Sequence, residues 1–151
     1  MSIHDRLRAR GIALPHAAAP VASYQPVGVD GHTAFVSGQL PFVDGELVTG
    51  KLGEGVTLEQ GQQAARACGL MILAQLEAAG LIERVAHFVK LGGFVACTPD
   101  FYDQPKVING ASDLMYEVFG DPGKHARSAV GVPALPLNAA VEVDAIVALK
   151  A

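Results

Sequence analysis

An arginine and a glutamate near the C-terminal end of the sequence are the residues whose types and spacing predict chemistry. Arg127 lies in the mostly apolar run 126–132, and Glu142 follows in the alternating run 141–146. A guanidinium keeps its charge in proteins, and its planar fork makes two-point contact with a carboxylate. Arg127 therefore predicts one of two partners: Glu142 in an internal salt bridge, or a ligand that carries a carboxylate.

The neighbours of both residues indicate how their side chains are covered. Side chains alternate along a strand, so Arg127 shares a face with Ala129 and Gly131, which are too small to cover it. Glu142 and Asp144 share the face opposite the apolar residues of their run. A glutamate on a partly buried strand near an arginine can position a water or exchange a proton. The alternative is that Glu142 belongs to a solvated sheet face.

Several other kinds of site lack their sequence signatures. The sequence has no P-loop, no G-x-S-x-G elbow and no G-x-G-x-x-G that opens a helix, and the glycines at 50, 53 and 55 are not followed by Lys-Ser/Thr. The five histidines and two cysteines show neither H-x-x-x-H nor C-x-x-C spacing. We therefore expect no metal and no cofactor, and we expect Cys68 and Cys97 to be buried free thiols.

Charge and composition bear on the partners. The net charge is −4 and the basic residues are scattered, which argues against a nucleic-acid partner. Half of the 151 residues are hydrophobic and 17% are charged, more apolar than a small monomer usually needs. No run approaches the ~18 apolar residues of a membrane-spanning helix. The sequence thus predicts one domain over residues 1–151, no membrane segment, and a buried interface between subunits.

The N-terminal residues 1–20 are expected to be a lead-in to this domain. They carry three arginines but no apolar core of a secretory signal, so we expect an amphipathic helix ending at Gly11, with a transit peptide as the alternative. An Ala/Pro stretch, 15–20, follows it. The expected location is the cytoplasm.

The elements that position Arg127 and Glu142 follow from hydrophobic periodicity and turn residues. Asp30-Gly31 predicts a hairpin, Thr57 to Gln60 fits a capping box at the start of a helix, and Gly80 is a C-terminal stop. The predicted elements are strands at 24–29, 33–37 and 46–49, a helix at 57–80, a strand at 84–98, a helix from 103 to 120, and strands at 126–132 and 139–149. This β-β-β-α-β-α-β-β order predicts an α+β fold in which two helices cover one face of a mixed sheet and leave the other for a partner subunit.

An ordered set of short motifs resembles the RidA/YjgF family, whose members also carry the labels endoribonuclease L-PSP and translation inhibitor. The resemblance runs from Tyr24 to Leu149, and segments 50–53 and 107–114 are typical of a less-studied branch. The motifs are Tyr24, FVSGQLP at 35–41, EAAG at 77–80, YEVF at 116–119, ARS at 126–128 and VEV at 141–143.

The resemblance implies a chorismate-mutase-like fold (Bacillus type) and a homotrimer with a cleft between each pair of subunits. It implies a deaminase that hydrolyses 2-imino or 2-enamino acids to 2-oxo acids and ammonia. In this sequence Arg127 would hold the substrate carboxylate and Glu142 would position the water. Ser37, Gly38 and Ser128 would line the cleft, and Tyr24 would close it. Ala129 stands where many members have a cysteine.

Two questions stay open at the level of sequence. The family's asparagine before the YEVF segment has two counterparts, Asn109 and Asp113, which share a helix face one turn apart. The function also has alternatives: a non-catalytic protein that binds small carboxylates, or, less favoured by the acidic charge, a ribonuclease.

Overall fold

The chain alternates short strands with two long helices. A computed structural model describes residues 1–20 and 22–151. Along these residues the elements are α1 (Ile3–Ala9), β1 (Val27–Asp30), β2 (Thr33–Gln39), β3 (Phe42–Val43), β4 (Glu46–Leu47), β5 (Lys51–Leu52), β6 (Gly55–Val56), α2 (Leu58–Ala78), β7 (Val85–Ala96), α3 (Gln104–Phe119), β8 (Ala126–Val132) and β9 (Val141–Leu149).

The main sheet is mixed, with the strand order β1-β2-β9-β7-β8. Neighbouring strands are antiparallel except β7 and β8, which run parallel and are joined through α3. Strand β8 ends the sheet, so its outer edge has no strand partner among the described residues. The predicted α+β class with a mixed sheet is confirmed.

Helices α2 and α3 pack on one face of the sheet and bury its apolar side. In β9 the buried positions 141, 143, 145, 147 and 149 alternate with partly exposed ones, as predicted for this run. Cys68 and Cys97 are buried free thiols, also as predicted, and burial raises the pKa of Cys68. The core joins the inner sides of both helices to β7 and β9, with Ile72, Leu76, Leu91, Val95, Ile108, Met115 and Val143 among its buried residues.

The opposite face of the sheet carries apolar side chains in contact with solvent. Phe35 and Val130 are 48% and 45% exposed, and Phe94 lies between their strands on the same face. Large exposed apolar side chains grouped on one face are typical of an interaction surface.

The turns and short strands agree only in part with the elements predicted from the sequence. Thr57 and Gln60 form the predicted capping box, with each side chain accepting a hydrogen bond from the other's backbone amide. The predicted Asp30-Gly31 turn lies one residue further along, because Asp30 pairs with Thr33 and leaves Gly31 and His32 at its centre. The structure also adds the two-residue strands β3 to β6, which form two small ribbons outside the main sheet.

Gly110 permits the close contact between α2 and α3. A methyl group built on Gly110 would overlap the backbone carbonyl oxygen of Gln62 and lie 3.1 Å from the amide nitrogen of Arg66. Both atoms belong to the backbone of α2, so they cannot move aside as a side chain could. Glycine is therefore required where the two helices are in closest contact.

We therefore expect Gly110→Ala to destabilise the fold although alanine favours helices. Overpacking costs about 1–3 kcal/mol, and overlap with rigid backbone atoms places this case at about 2–3 kcal/mol, against about 1 kcal/mol of helix propensity gained. The thermal unfolding midpoint, measured at one fixed protein concentration, should fall by about 2–6 °C. An unchanged or higher midpoint for Gly110→Ala would contradict the close contact.

Candidate functional site

Arg127 faces the helix layer and is held there by α3. It pairs with Leu91 of β7, whose side chain lies in the core, so both point to the helix side of the sheet. Its Nη1 donates hydrogen bonds to Asn109 Oδ1 at 2.8 Å and to Ser112 Oγ at 3.2 Å. Neutral side chains of α3, rather than its small strand neighbours, thus cover this half-buried arginine.

Arg127 has no carboxylate partner within the described chain. Across residues 1–20 and 22–151, no Asp or Glu oxygen lies within 4.0 Å of its guanidinium. Its Nη2 and Nε have no hydrogen-bond partner there. Every buried side-chain nitrogen of the described residues does have a hydrogen-bond partner, so Nη2 and Nε are not buried. These two nitrogens therefore reach solvent, and they form the side of the guanidinium that can bind an anion.

Of the two partners that the sequence left open for Arg127, the internal salt bridge with Glu142 is not formed. Glu142 pairs with Phe94 of β7, and its side chain lies on the face of the sheet opposite the core residues Val141 and Val143. Arg127 therefore points to the helix side of the sheet and Glu142 to the opposite side. The sheet itself separates the two side chains in one copy of the chain.

Asn109 and Asp113, the two counterparts of the family's asparagine, both lie in the cleft around Arg127. Asn109 and Asp113 line the same cavity of about 330 Å³ together with Arg127. Asn109 touches the arginine, whereas Asp113 is exposed at the wall. Both Asn109 and Asp113, the two residues between which the sequence could not choose, therefore lie at the cleft.

His125 is a residue of this cleft that the sequence reasoning missed. Its Nε2 lies 2.9 Å from Ser112 Oγ, and its Nδ1 lies 2.7 Å from the carbonyl oxygen of Gly123. Burial, followed by the positive charge of Arg127, lowers the pKa of His125. A usable signal existed, because Ser112 is three residues from Asn109 on α3 and His125 precedes Arg127 by two.

Glu142 lies at a bulge on the other side of the sheet. Strand β2 has one extra residue between its pairings at Val36 and Gln39, and Gly38 lies within this bulge. A methyl on Gly38 would overlap the Glu142 carboxylate, so glycine lets that carboxylate lie against the backbone. Burial and the nearby Asp144 raise the pKa of Glu142.

Tyr24, Gly38 and Glu142 line one cavity of about 370 Å³. Its walls are largely apolar, and no described residue donates a hydrogen bond to the Glu142 carboxylate. The buried Gln75 closes its floor and donates hydrogen bonds to Gln39 Oε1 at 3.2 Å and to the Ala18 carbonyl at 2.7 Å. The sequence did not predict this glutamine pair, because Gln39 and Gln75 lie 36 positions apart in the chain.

Ser37 and Ser128 line a third hollow, on the exposed face of the sheet. Gly38 and Asp144 also border this hollow, of about 720 Å³. Ser37 Oγ donates to the carbonyl of Gln25 at 2.8 Å, which fixes the hydroxyl toward the segment before β1 rather than toward Arg127. One copy of the chain therefore brings Arg127, Asn109 and Asp113 together, and separately Tyr24, Gly38 and Glu142.

Two further features, metal ligands and membrane-spanning helices, concern the part of the chain that the structure describes. Within it, no three His, Cys, Asp or Glu side chains come close enough to hold a metal ion. Neither long helix in those residues combines the length and apolar content that crossing a membrane requires.

The fold and the arginine cleft define the class of protein. The family model described as "YjgF/chorismate_mutase-like, putative endoribonuclease" matches residues 4–149. The chain therefore belongs to the YjgF/RidA family, and the family resemblance predicted from its motifs is confirmed.

Individual relatives agree with this assignment. Protein TCP17 of Trypanosoma cruzi is 51% identical over 147 residues, which cover 95% of this chain and 92% of that protein. A 2-iminobutanoate/2-iminopropanoate deaminase of Dermatophagoides farinae is 32% identical, covering 93% of this chain and 97% of the relative. A crystal structure from Agrobacterium tumefaciens, of a protein with unknown function, has 44% identity and a TM-score of 0.89, covering 99% of this chain and 93% of that one.

Proposed function

We propose that this chain is a hydrolytic deaminase that converts reactive 2-imino and 2-enamino acids into 2-oxo acids and ammonia, without a cofactor. The observation that carries the proposal is Arg127, which neutral side chains hold at one end while Nη2 and Nε stay open to solvent. Family membership and the deaminase from Dermatophagoides farinae support the same activity.

Arg127 would bind the substrate through its carboxylate. A guanidinium presents two parallel N–H groups that match the two oxygens of a carboxylate. Because Asn109 and Ser112 occupy Nη1, the pair that contacts the substrate would be Nη2 and Nε. This contact would fix the position of the adjacent C=N carbon.

Glu142 would activate the water. Its carboxylate would accept a proton as the water oxygen bonds to C2 of the iminium, giving a carbinolamine. Glu142 would then return this proton to the nitrogen and accept the proton of the hydroxyl as the C–N bond breaks, which releases ammonia and leaves the 2-oxo acid. The proton left on Glu142 would pass to the ammonia to give ammonium. A pKa raised by burial suits a glutamate that takes up and returns a proton near neutral pH.

The complete site would lie between two copies of a domain formed by residues 1–151. Arg127 and Glu142 are on opposite sides of the sheet, so a site that uses both needs Glu142 from a neighbouring copy. We propose a cytoplasmic homotrimer whose exposed sheet faces pack together. The unpaired edge of β8 and the exposed Phe35 and Val130 support this arrangement.

We expect Phe35→Asp to break the assembly. A charge placed in a packed apolar interface cannot be solvated, so the copies should separate. Light scattering on a size-exclusion column should give three times the chain mass of 15.7 kDa for the unaltered protein, and a smaller mass for the variant. Val43→Asp is the matched control, because Val43 is similarly exposed at 43% but lies on the β3–β4 ribbon outside the sheet. Assembly that survives Phe35→Asp would contradict the interface.

The activity can be tested with imines made in place. An amino-acid oxidase acting on a series of amino acids generates 2-imino acids, and semicarbazide traps those that persist. We expect the protein to lower the yield of semicarbazone and to speed ammonia release. No acceleration with any of the amino acids, at protein concentrations up to micromolar, would refute the deaminase.

A second candidate function is a non-catalytic sensor of small carboxylates, and Asp113 is the observation that favours it. An acidic side chain on the wall of the Arg127 cleft favours a ligand with both a carboxylate and a positive nitrogen, such as an amino acid. Calorimetric binding of amino acids without any turnover of imines would identify this function. The net charge of −4 speaks against the ribonuclease alternative.

A further inference from the structure

A chain of hydrogen bonds leads from a backbone carbonyl to Arg127. The carbonyl of Gly123 can only accept, so Nδ1 of His125, at 2.7 Å, carries the proton of the neutral imidazole. Nε2 is then an acceptor, and the hydroxyl of Ser112, at 2.9 Å, donates to it. The Ser112 oxygen therefore keeps its lone pairs for Nη1 of Arg127, at 3.2 Å.

This chain fixes the orientation of the guanidinium. Nη1 donates to two acceptors of α3, Asn109 Oδ1 and Ser112 Oγ. With both directions of Nη1 set, the plane of the guanidinium is set as well. Nη2 and Nε are then held toward the open cleft in the geometry that a carboxylate needs.

The charges around His125 come from three elements. Helix α3 contributes Asp113 and Tyr116 to the cleft, and the turn before β8 contributes Lys124, whose Nζ is 3.3 Å from Asp121. Strand β8 contributes Arg127. Lys90 of the adjacent strand β7 borders the hollow on the opposite face of the sheet. Among the described residues, Arg127 is thus the charge that acts most directly on His125.

We propose that Ser112 and His125 are positioning residues that orient Arg127 for its ligand, and that binding of a carboxylate there is coupled to uptake of a proton by His125. The inference rests on the proposed carboxylate binding at Arg127 and adds how that binding is oriented and how it depends on pH.

The sign of the coupling follows from charge. In the free protein a protonated His125 would face the positive Arg127, which disfavours protonation. A bound carboxylate neutralises Arg127 and so removes the charge that disfavours the protonated form of His125. Affinity should therefore rise as the pH falls toward the pKa of His125, by about five-fold between pH 7.5 and 5.5.

Isothermal titration calorimetry with 2-oxobutanoate tests both parts. Titrations at pH 7.5 and 5.5, each in two buffers of different ionisation enthalpy, give the affinity and the number of protons taken up. For the unaltered protein we expect proton uptake and tighter binding at pH 5.5. Nitrogen-15 NMR of His125 in the free protein should show the Nδ1–H tautomer, a readout that requires no ligand.

Three variants separate orientation from titration. In His125→Gln the side-chain oxygen can still accept from Ser112 but cannot titrate, so affinity at pH 7.5 should stay within about two-fold. Proton uptake should fall to the part that Glu142 of the neighbouring copy contributes. His125→Asn can still donate to Gly123 but is too short to reach Ser112. It and Ser112→Ala should weaken binding at pH 7.5 by about five-fold, as expected for one lost hydrogen bond.

The outcomes distinguish this inference from the proposed function. Unchanged proton uptake in His125→Gln, or unchanged affinity in Ser112→Ala, would overturn the inference while leaving carboxylate binding at Arg127 intact. Absence of binding to the unaltered protein, or binding that Arg127→Ala does not weaken, would overturn the carboxylate clamp and the inference with it.

Discussion

Replacing Arg127 with alanine should lower kcat/KM for 2-imino acids by about 100- to 1,000-fold. Removing one partner of a partly buried, hydrogen-bonded charge pair costs about 2–5 kcal/mol, and each 1.4 kcal/mol is a factor of ten. The loss should appear mostly in KM, because the carboxylate is present in both the substrate and the transition state. Steady-state ammonia release with 2-imino acids made in place measures it.

Two companion variants show whether charge or geometry matters at Arg127. Arg127→Lys keeps the charge but lacks the planar fork, so it should recover only a small part of the activity. Arg66→Ala removes another partly exposed arginine, which pairs with Glu117 at 3.0 Å on the outer side of the helices, and should leave kcat/KM unchanged. Full activity in Arg127→Lys would mean that the site needs only a positive charge.

Replacing Glu142 with glutamine should lower kcat by about 100-fold or more, with little change in KM. A glutamine can still hydrogen-bond a water but cannot accept its proton, and general-base catalysis is worth about 10²–10⁴-fold. In the unaltered protein, activity should fall as the pH drops through the raised pKa of Glu142, because the protonated carboxyl is no longer a base. The pH–rate profile of Glu142→Gln should lack this acid limb.

Asp144→Asn is the matched control for Glu142. Asp144 lies two residues along β9 on the same face and contributes to the raised pKa of Glu142. The control should keep most of the activity and move the acid limb to lower pH. An unaltered pH profile in both variants would mean that Glu142 is not the group that titrates.

The parts of the fold that depend on local sequence could be predicted. The capping box at Thr57 and Gln60 starts α2, and the predicted bounds of β8 match the structure. Such features are set by residues within a few positions of each other. The two-residue strands β3 to β6 are too short for a periodic pattern, and the order of the main sheet depends on pairings between distant segments.

The candidate site was predictable residue by residue but not as an arrangement. Alternation in β9 correctly placed Glu142 away from the core, because its apolar neighbours are clearly on the other side. The strand of Arg127 has small residues on one side and Ser128 and Val130 on the other, so the pattern does not say which side meets the helices. For that reason an Arg127–Glu142 contact looked possible in one copy, although the sheet separates the two.

The most direct test of a site shared between copies is a mixing experiment with Arg127→Ala and Glu142→Gln. Each variant alone should be nearly inactive. The two variants are unfolded and refolded together in equal amounts, so that about three-quarters of randomly assembled trimers contain both variants. Each mixed trimer has both original residues at one of its three sites. The mixture should therefore recover about a quarter of the original activity. Activity no higher than that of the separate variants, in refolded material shown to contain mixed oligomers, would contradict a site built from Arg127 of one copy and Glu142 of another.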